Sequence, residues 1–380
     1  MMALYLFIAF GVLFLYSTLL IYLAFLWLNS PEFITNTQYK CKTIVSVVIS
    51  ARNEAVNISN CLEDLIAQNY PSSLFEIIVV DDSSEDNTVE ILDLFSEKHK
   101  ENIKIIKLNE VSPTRIGKKA AIVEAVKIAK GNLIVTTDAD CRFNENWLHS
   151  IVSFYESNNY KVIIGPVAFN EERSLFSKMQ SVEFMGLIGI TASFCFFNRP
   201  IMCNGANFIY EKNLFEKLKT YSKNKAASGD DIFLLLDAKA NEPKGSIGFL
   251  KSREAIVYTK PNKSFSDFFM QRKRWASKAS AYKDFDAVFT SLLVFFCNSL
   301  IVITLVLSIF SFKFVLYTIL MLLIKSIVDF IFLYVVSGFF SLRKYFWLFL
   351  PEQFFYVIYV VLTGLLSQFG KYTWKNRQFF

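Results

Sequence analysis

Hydrophobic residues are concentrated in four long stretches, which occupy residues 2–28, 287–311, 314–337 and 345–366. The first contains neither a charged residue nor a proline, and the other three are nearly as apolar. A helix needs about 20 apolar residues to cross a bilayer, so each stretch is long enough to span a membrane. The first stretch lacks the basic start and the small-residue cleavage site of a signal peptide, and we interpret it as a retained anchor.

About 260 charge-rich residues lie between the first stretch and the second, which is enough for one domain with its own core. The pattern predicts an anchor, a globular domain and a membrane bundle. The predicted segments are a first membrane helix (1–30), a globular domain (42–262), an amphipathic helix (263–286), further membrane helices (287–366) and a basic tail (367–380).

In the first half of the globular domain, short apolar runs alternate with helical patterns. The predicted strands are Thr43–Ser50, Glu76–Val80, Ile103–Lys107 and Asn132–Thr137, and the helices between them are Val56–Gln68, Asn87–Glu97 and Gly117–Lys130. Such alternation is typical of a parallel, doubly wound α/β sheet.

The second half is less regular. Its predicted elements are a strand with a Gly-Pro turn (Lys161–Ala168), a long helix (Glu172–Gly189), a short strand (Phe208–Tyr210) and a helix (Ile232–Lys239). Residues 263–284 mix Phe and Trp with Arg and Lys directly before a membrane segment, which favours an amphipathic helix lying on the bilayer surface.

Polar clusters follow three of the predicted strands: Arg52-Asn53-Glu54, Asp81-Asp82 and Asp138-Ala139-Asp140. Ligands of such sheets bind outside the carboxyl ends of the strands, so we expect the clusters to converge on one crevice. Any one of them alone could equally be an Asx turn or a helix cap. Three clusters at the same edge favour a binding site.

The pair Asp138 and Asp140 raises a question of charge. Strand residues at i and i+2 point to the same side, so these carboxylates would repel each other unless a positive charge lay between them. A second acidic pair, Asp230 and Asp231, precedes a predicted helix. That pair is open to two interpretations, a helix cap or a functional site.

Composition argues against several other classes of protein. The mean hydropathy is +0.35 and the net charge is +6, with Lys and Arg concentrated beside the membrane segments. No basic stripe interleaved with aromatic residues indicates nucleic-acid binding. The six cysteines form no CxxC pair, and the two histidines lie in charged, helix-like stretches, which disfavours a thiolate or histidine metal site. The GxSxG and GxxxxGK[ST] motifs of hydrolases and P-loop proteins do not occur.

Seven motifs between about Val45 and Trp275 occur in the order VSVVISARNE, IIVVDDSSEDNT, GKKAA, TTDADC, NGANFIY, SGDDIFLL and QRKRW. Together they resemble the family 2 glycosyltransferases, in particular the membrane-integrated branch. That branch includes the cellulose, hyaluronan, chitin and poly-N-acetylglucosamine synthases and the ceramide glucosyltransferases. The resemblance implies a GT-A fold, which is a Rossmann-like, mixed but mostly parallel sheet, flanked by transmembrane helices. It also implies a nucleotide-diphospho-sugar donor, which we expect to be a UDP-sugar.

The resemblance further implies roles for the donor-side residues. Glu54 and Asp81 would hold the nucleoside base and ribose, and Lys118 would lie near the nucleotide. Asp138 and Asp140 look like the DxD motif that binds the sugar diphosphate and a divalent metal. Mg²⁺ or Mn²⁺ would then be the positive charge that the pair requires, since hard cations prefer carboxylate and phosphate oxygens.

On the acceptor side, the same resemblance makes Asp231 the general base, with Asp230 as its neighbour in the acidic pair. Gln271, Arg274 and Trp275 match a QxxRW motif, in which Arg274 would neutralise the leaving diphosphate and Trp275 would stack on the acceptor. Asn204, in NGANFIY, is a further candidate substrate-binding residue. The family usually has Glu where this chain has Asp230, so which of the two aspartates is the base is left open.

The expected partners are a nucleotide sugar, membrane lipid and a glycan or lipid acceptor. Three carboxyl-terminal spans are few for a polymer channel, so a processive enzyme would need a homo-oligomer or an accessory export subunit. A transfer of one sugar to a ceramide- or polyprenol-type lipid is the alternative. A membrane protein that binds nucleotide sugars without catalysis is disfavoured, because Asp138, Asp140, Asp231 and Arg274 are all present.

We expect an integral protein of the bacterial inner membrane with its catalytic domain in the cytoplasm. Lys40 and Lys42 would then lie inside, as the positive-inside rule requires. The same rule places Arg343-Lys344 and the basic tail at 371–377 in the cytoplasm. Three complete crossings after the globular domain would instead place the tail outside. Segment 345–366 contains a proline and a carboxylate in its first third, so it is predicted to be broken or re-entrant, or to turn Glu352 towards the bundle or the acceptor path.

Overall fold

A mixed sheet forms the centre of the globular domain. The computed structural model describes residues 2–112, 117–170, 174–218, 229–278, 281–367, 372–374 and 377–379. Within these residues the sheet has seven strands, β1 (Val45–Ala51), β2 (Phe75–Asp81), β3 (Ile103–Lys107), β4 (Leu133–Asp138), β5 (Val162–Ile164), β7 (Phe208–Glu211) and β8 (Ile247–Phe249). Two further pairs are β6 (Val167–Phe169) with β9 (Val257–Thr259), and β10 (Tyr372–Trp374) with β11 (Arg377–Phe379).

The strand order is β3-β2-β1-β4-β7-β5-β8. The first four strands are parallel, β7 is antiparallel to both of its neighbours, and β5 is parallel to β8. All the residues of β2 are buried, as expected for a strand that is covered by helices on both faces. The predicted mixed, mostly parallel α/β fold is confirmed.

Helices cover the sheet and continue into an apolar bundle. Those of the globular domain are α2 (Ile58–Ile66), α3 (Thr88–Lys98), α4 (Leu108–Val111), α5 (Lys118–Ile128), α6 (Trp147–Glu156), α8 (Lys212–Leu218) and α9 (Asp230–Asn241), with a short 3₁₀ helix at Ser72–Leu74. The remaining helices are α1 (Met2–Asn29), α7 (Leu175–Phe196), α10 (Phe265–Lys278), α11 (Phe285–Leu307), α12 (Lys313–Phe340), a 3₁₀ helix (Arg343–Leu348) and α13 (Phe349–Leu366).

Helix α7 is longer than predicted. The Oγ atom of Ser174 accepts a hydrogen bond from the backbone N–H of Ser177 at 3.0 Å, and this capping box sets the start of the helix at Leu175. Position 172, where the sequence placed the start, lies outside the described residues. The helix continues past Gly189 to Phe196 because it is buried between the sheet strands β6 and β8 and the helices α1 and α12.

By length and composition, the helices α1, α7, α11 and α12 and the segment Arg343–Leu366 could each cross a membrane. These helices make the chain a membrane protein by composition, as the apolar pattern predicted. Helix α7 was not predicted as a span, and its burial within the protein distinguishes it from the others, whose surfaces are mostly exposed.

A charged cluster joins three helices of the bundle. Lys325 is fully buried, and its Nζ atom donates to Asp329 Oδ2 at 2.5 Å and to Gln353 Oε1 at 3.3 Å. The hydroxyl of Tyr16 donates to Asp329 Oδ1 at 2.7 Å. Lys325 and Asp329 therefore neutralise each other, and paired charges of this kind are the form in which ionisable groups persist inside membranes.

Helix α1 is also tied to the globular domain. The buried Lys251 ammonium donates to the carbonyl oxygens of Trp27 at 2.8 Å and Ser30 at 2.6 Å. It lies 4.5 Å from the centre of the Trp27 ring. A cation at the carboxyl end of a helix satisfies its free carbonyl groups and opposes the negative end of its dipole.

The last apolar segment is divided between the 3₁₀ helix and α13. Pro351 lies in the first turn of α13, where its missing N–H would have no helical partner in any case, so the proline does not break the helix. Glu352 is only 8% exposed and Gln353 6%. Of the predicted alternatives, the inward orientation of Glu352 is the one that agrees with the structure.

Candidate active site

The carboxyl ends of the central strands bring the predicted polar clusters together. In the parallel register Ala51 lies opposite Asp81, and Ser50 lies opposite Asp138. A cavity of about 350 Å³ opens at this edge. Every predicted site residue except Asp81 lines it, namely Glu54, Lys118, Asp138, Asp140, Asn204, Asp230, Asp231, Gln271, Arg274 and Trp275.

The first acidic cluster presents Asp82, and not Asp81, to the cavity. Asp81 is 2% exposed, and its Oδ2 atom accepts a hydrogen bond from the N–H of Ser84 at 3.1 Å. Its Oδ1 atom is buried and has no donor among the described residues. Asp82 accepts from the N–H of Gly117 at 3.1 Å. The turn after β2 takes Ser83 to a φ of 59°, and sequence alone does not show which carboxylate such a turn directs inward.

The second cluster differs from the geometry assumed for it. Strand β4 ends at Asp138, so Asp140 lies in the following turn and the alternation of strand side chains does not place it. The expected repulsion is nevertheless present. Burial, together with the nearby carboxylates of Asp138 and Glu54, raises the pKa of Asp140 to about 6. Thr259 donates to Asp140 Oδ2 at 3.1 Å.

Lys118 supplies a positive charge beside this cluster. It is the first residue of α5, and its ammonium forms an ion pair with Asp138 Oδ1. Gly205 lies between this lysine and the second acidic pair: a Cβ atom on Gly205 would stand 3.0 Å from Lys118 Nζ and 3.2 Å from Asp231 Oδ2. The absence of a side chain at Gly205 therefore allows the two acidic groups to share one cavity.

The pair Asp230 and Asp231 forms the first turn of α9, two residues earlier than the predicted helix start. Gly229 precedes it with a φ of 92°, a conformation that favours glycine. Asp231 Oδ2 accepts from the N–H of Gly205 at 2.8 Å. Asp230 is 8% exposed, and its burial, with the adjacent Asp231 charge, raises its pKa to about 7.

Helix α10 contributes the opposite wall. Gln271, Arg274 and Trp275 face the cavity, as does Lys278 one turn beyond Arg274. Burial lowers the pKa of Lys278. Residues at i and i+4 of a helix lie on the same face, so the position of Lys278 relative to Arg274 is a signal in the sequence that it shares the cavity.

Three further cavity residues have no role assigned from the sequence, although Arg52 belongs to one of the predicted polar clusters. Arg52 is 6% exposed and donates from Nη1 to the carbonyl oxygens of Asp82 and Ser83, both at 2.7 Å. It thereby holds the turns after β1 and β2 together. Thr259, the last residue of β9, and the following Lys260 line the cavity, and no motif in the sequence singles them out.

The raised pKa of Asp230 predicts a pH-dependent cost in stability. An ordinary aspartate ionises near pH 4 in the unfolded chain, so the folded protein loses stability as the pH rises from about 4 through 7. We expect Asp230→Asn to raise the melting temperature at pH 8 and to leave it unchanged at pH 4. A shift of about three pKa units corresponds to at most about 4 kcal/mol.

The measurement is thermal unfolding of the detergent-solubilised protein without ligands at several pH values. Asp93→Asn is the matched control, since its carboxylate on α3 is half-exposed. If Asp230→Asn and Asp93→Asn changed the melting temperature alike at every pH, the ionisation assigned to Asp230 would be wrong.

Comparison with known proteins identifies the family. The family model described as "Glycosyl transferase family 2" matches residues 46–219, and that described as "Glycosyl transferase family group 2" matches residues 133–368, which is more than half of the chain. The fold is similar to that of the mannosyltransferase PcManGT from Pyrobaculum calidifontis in complex with GDP-Man and Mn²⁺. That structure has a TM-score of 0.63 and 15% identity, with 95% of this chain and 96% of that one covered.

Two curated relatives match part of the chain. The glycosyltransferase AglE of Haloferax volcanii is 32% identical over 147 residues, which are 37% of this chain and 47% of the relative. The poly-beta-1,6-N-acetyl-D-glucosamine synthase of Staphylococcus epidermidis is 25% identical over 146 residues, which are 38% of this chain and 34% of the relative. The matches thus span less than half of each relative's length. With the family model that covers most of the chain, they show that the chain belongs to the family 2 glycosyltransferases and that its globular domain has the GT-A fold.

Proposed function

We propose that this protein is an inverting glycosyltransferase that moves a sugar from a nucleotide-diphospho-sugar to a glycan acceptor at a membrane surface. The observation that carries the proposal is the convergence of two acidic pairs on one cavity. Lys118 forms an ion pair with Asp138, and Gly205 lies between Lys118 and Asp231. Arg274 and Lys278 add cationic groups to the same cavity. Acids and bases in this arrangement suit a reaction in which a diphosphate leaves and a hydroxyl loses its proton.

The donor side of the cavity is built from the ends of β1, β2 and β4. We infer that Glu54 and Asp82 lie along the nucleoside. Asp81, which does not line the cavity, would support this edge of the site through its hydrogen bond from Ser84 in the turn after β2. A UDP-sugar remains the donor to test first. GDP-mannose is second, because the structural neighbour from Pyrobaculum calidifontis was solved with it.

Asp138 and Asp140 are the residues that would hold a divalent cation. The two carboxylates, with Glu54 nearby, leave Asp140 in an environment that disfavours its own negative charge, and a cation would relieve this. Within the described chain no cluster of three or more His, Cys, Asp or Glu side chains forms a closed metal site. Two carboxylates nevertheless suit Mg²⁺ or Mn²⁺, which can take further oxygens from phosphate and water. When bound, the cation would neutralise charge on the diphosphate.

The acceptor side supplies the base. In the proposed reaction the Asp231 carboxylate takes the proton of an acceptor hydroxyl, whose oxygen forms a bond to the anomeric carbon. The bond from that carbon to the diphosphate oxygen breaks, and the nucleoside diphosphate leaves with the electron pair. The N–H of Gly205 holds Asp231 in place. Arg274 and Lys278 stabilise the developing charge on the leaving group, and such electrostatic stabilisation is commonly the largest catalytic term.

The acceptor is proposed to be a growing surface glycan or polysaccharide. The poly-N-acetylglucosamine synthase among the relatives favours this class. A single transfer to a lipid is the second candidate, since α10, which lines the cavity, packs against the membrane helix α13. In either case the catalytic domain is proposed to lie in the cytoplasm of a bacterial cell, where nucleotide sugars are made.

The proposal is tested by incubating the detergent-solubilised protein with a panel of nucleotide sugars and measuring release of nucleoside diphosphate. We expect one donor to be hydrolysed in preference to the others, and Asp231→Asn to suppress this release. A protein that released no nucleoside diphosphate from any donor, with or without lipid and glycan acceptors, would not be the proposed transferase.

The role of Arg274 can be tested by a conservative change. Arg274→Ala is expected to lower turnover by about 10²-fold or more, the usual effect of losing one donor to a developing anion. Arg274→Lys should not restore it, because a planar, bidentate donor is not replaced by a point charge. Lys273→Met removes a charge from the same helix outside the cavity and serves as the control. Near-normal rates for Arg274→Lys would move Arg274 from the site to the membrane interface.

The side of the membrane on which the tail lies is a separate prediction. We place it in the cytoplasm, as its basic residues require. A cysteine introduced by Gln378→Cys should then resist a membrane-impermeant thiol reagent in intact cells and react after lysis. The parent protein is the control, since of its six cysteines five are buried and Cys203 is half-buried. Labelling in intact cells would instead put the tail outside.

A further inference from the structure

Arg272 belongs to the QRKRW stretch but does not line the cavity. It is 5% exposed, and its guanidinium forms a buried ion pair with Glu183 of α7. The Nη2 atom of Arg272 lies 2.5 Å from Glu183 Oε2, and the Nε atom lies 3.0 Å from Oε1. Arg272 was predicted as one of the interfacial charges of an amphipathic helix, and its burial corrects that prediction.

The same guanidinium contacts both neighbours that do line the cavity. Its Nη1 atom donates to Gln271 Oε1 at 2.6 Å. Its central carbon lies 4.4 Å from the centre of the Trp275 ring and 4.5 Å from that of Phe268. Arg272 therefore sets the side-chain orientation of Gln271 by a hydrogen bond and supports the face of Trp275 by a cation–π contact.

Helix α7 holds Gln271 by a second route. Gln180, three residues before Glu183, accepts from the N–H of Asn262 at 3.0 Å and donates to its carbonyl oxygen at 2.9 Å. The Nδ2 atom of Asn262 donates to Gln271 Oε1 at 2.9 Å. The side-chain Oε1 atom of Gln271 thus accepts two hydrogen bonds, from Arg272 and Asn262. Both donors are held by residues on the same face of α7.

The carboxylate of Glu183 has a second partner. The hydroxyl of Tyr359, on the membrane helix α13, donates to Glu183 Oε1. Glu183 therefore connects a residue of the membrane bundle to the wall of the cavity. Arg272 completes the connection, because its guanidinium contacts Glu183 as well as Gln271 and Trp275.

We propose that Glu183 and Arg272 are positioning residues that orient Gln271 and Trp275 for the acceptor, and that Tyr359 makes this orientation depend on the seating of α13. The inference rests on the proposed function for its kinetic consequence. The geometric consequence, a change in the environment of the Trp275 ring, is independent of the proposed function. Misorientation of Trp275 would impair use of the acceptor and leave binding of the nucleotide intact, because the proposed contacts to the nucleoside come from the ends of β1, β2 and β4 and not from Trp275.

The test uses Tyr359→Phe, which removes only one hydroxyl, and Glu183→Gln, which removes the charge at nearly constant volume. Tyr16→Phe is the matched control, because it removes a tyrosine hydroxyl that also donates to a buried carboxylate in the bundle, Asp329. Each variant is made in the parent and in a Trp275→Phe background. The difference spectrum then isolates the fluorescence of Trp275 from that of the other four tryptophans.

We expect Tyr359→Phe and Glu183→Gln to change the Trp275 difference spectrum, and Tyr16→Phe to leave it unchanged. Transfer to acceptor should fall, by up to about 10²-fold in Glu183→Gln, with unchanged affinity for UDP, or for GDP if UDP does not bind. An unaltered Trp275 spectrum in a folded Tyr359→Phe protein would overturn the proposal, as would equal losses of transfer in Tyr359→Phe and Tyr16→Phe. If the spectrum changed in a protein without transferase activity, only the proposed function would fail.

Discussion

Asp231→Asn is expected to lower turnover by at least about 10²-fold, the low end of what a general base contributes, while binding of the nucleotide donor is kept. Asparagine has nearly the shape of aspartate and can still accept the hydrogen bond from the Gly205 N–H. It cannot accept a proton at neutral pH. Steady-state transfer rates and nucleotide affinity, measured on the same preparation, separate loss of the base from loss of the site.

Asp230→Asn is the control for this variant. Its carboxylate is adjacent and more buried, and its pKa is raised to about 7, so it is only partly ionised at pH 7. Replacing it should therefore alter turnover far less than replacing Asp231. A result in which Asp230→Asn is inactive and Asp231→Asn is mildly affected would exchange the roles of the two aspartates. The unusual Asp at the first position of the acidic pair makes this the most informative comparison.

Removal of divalent cations is expected to abolish transfer, and addition of Mn²⁺ or Mg²⁺ should restore it. Without a cation, a diphosphate would meet two carboxylates, one of which already resists ionisation because of its neighbours. The measurement is transfer rate and nucleotide affinity in excess EDTA, followed by titration with each metal. Both quantities should fall together, since the cation would belong to the donor site.

Asp140→Asn provides the matching variant, because it removes one of the two proposed metal ligands and keeps the side-chain volume. It should require a higher metal concentration for half-maximal transfer than the parent. Full turnover in excess EDTA would contradict the assignment of Asp138 and Asp140. In that case Lys118, which already pairs with Asp138, would be the cation that the acidic pair requires.

The sequence predicted the parallel half of the sheet well, because β1, β2 and β4 are short runs of buried β-branched residues that end in polar clusters. The carboxyl ends of parallel strands all lie at the same edge of the sheet. The positions of Glu54, Asp138 and Asp140 after these strands were therefore enough to predict that they lie close together. The choice between Asp81 and Asp82 could not be made in this way. It depends on the left-handed conformation of Ser83 in the turn.

Helix α7 and its contacts were beyond the reach of local patterns. A helix buried on most of its sides has no polar face to give it a period, so neither its end at Phe196 nor its place in the bundle was visible. The ion pair between Glu183 and Arg272 joins residues 89 positions apart. Both residues resemble ordinary surface charges in the sequence, and only the packing of α7 against α10 shows that they are partners.

The ties that hold α1 have a consequence for how this enzyme can be divided. Tyr16 completes the shell of Asp329 in the bundle, and Lys251 of the globular domain is satisfied by the last carbonyl groups of α1. Cutting the chain after residue 30 would remove the partners of both groups, whereas an unrelated anchor of equal length would keep backbone carbonyl groups for Lys251 and lose the Tyr16 hydroxyl. A catalytic fragment without α1 would instead present the Lys251 ammonium to water in place of the carbonyl oxygens of Trp27 and Ser30.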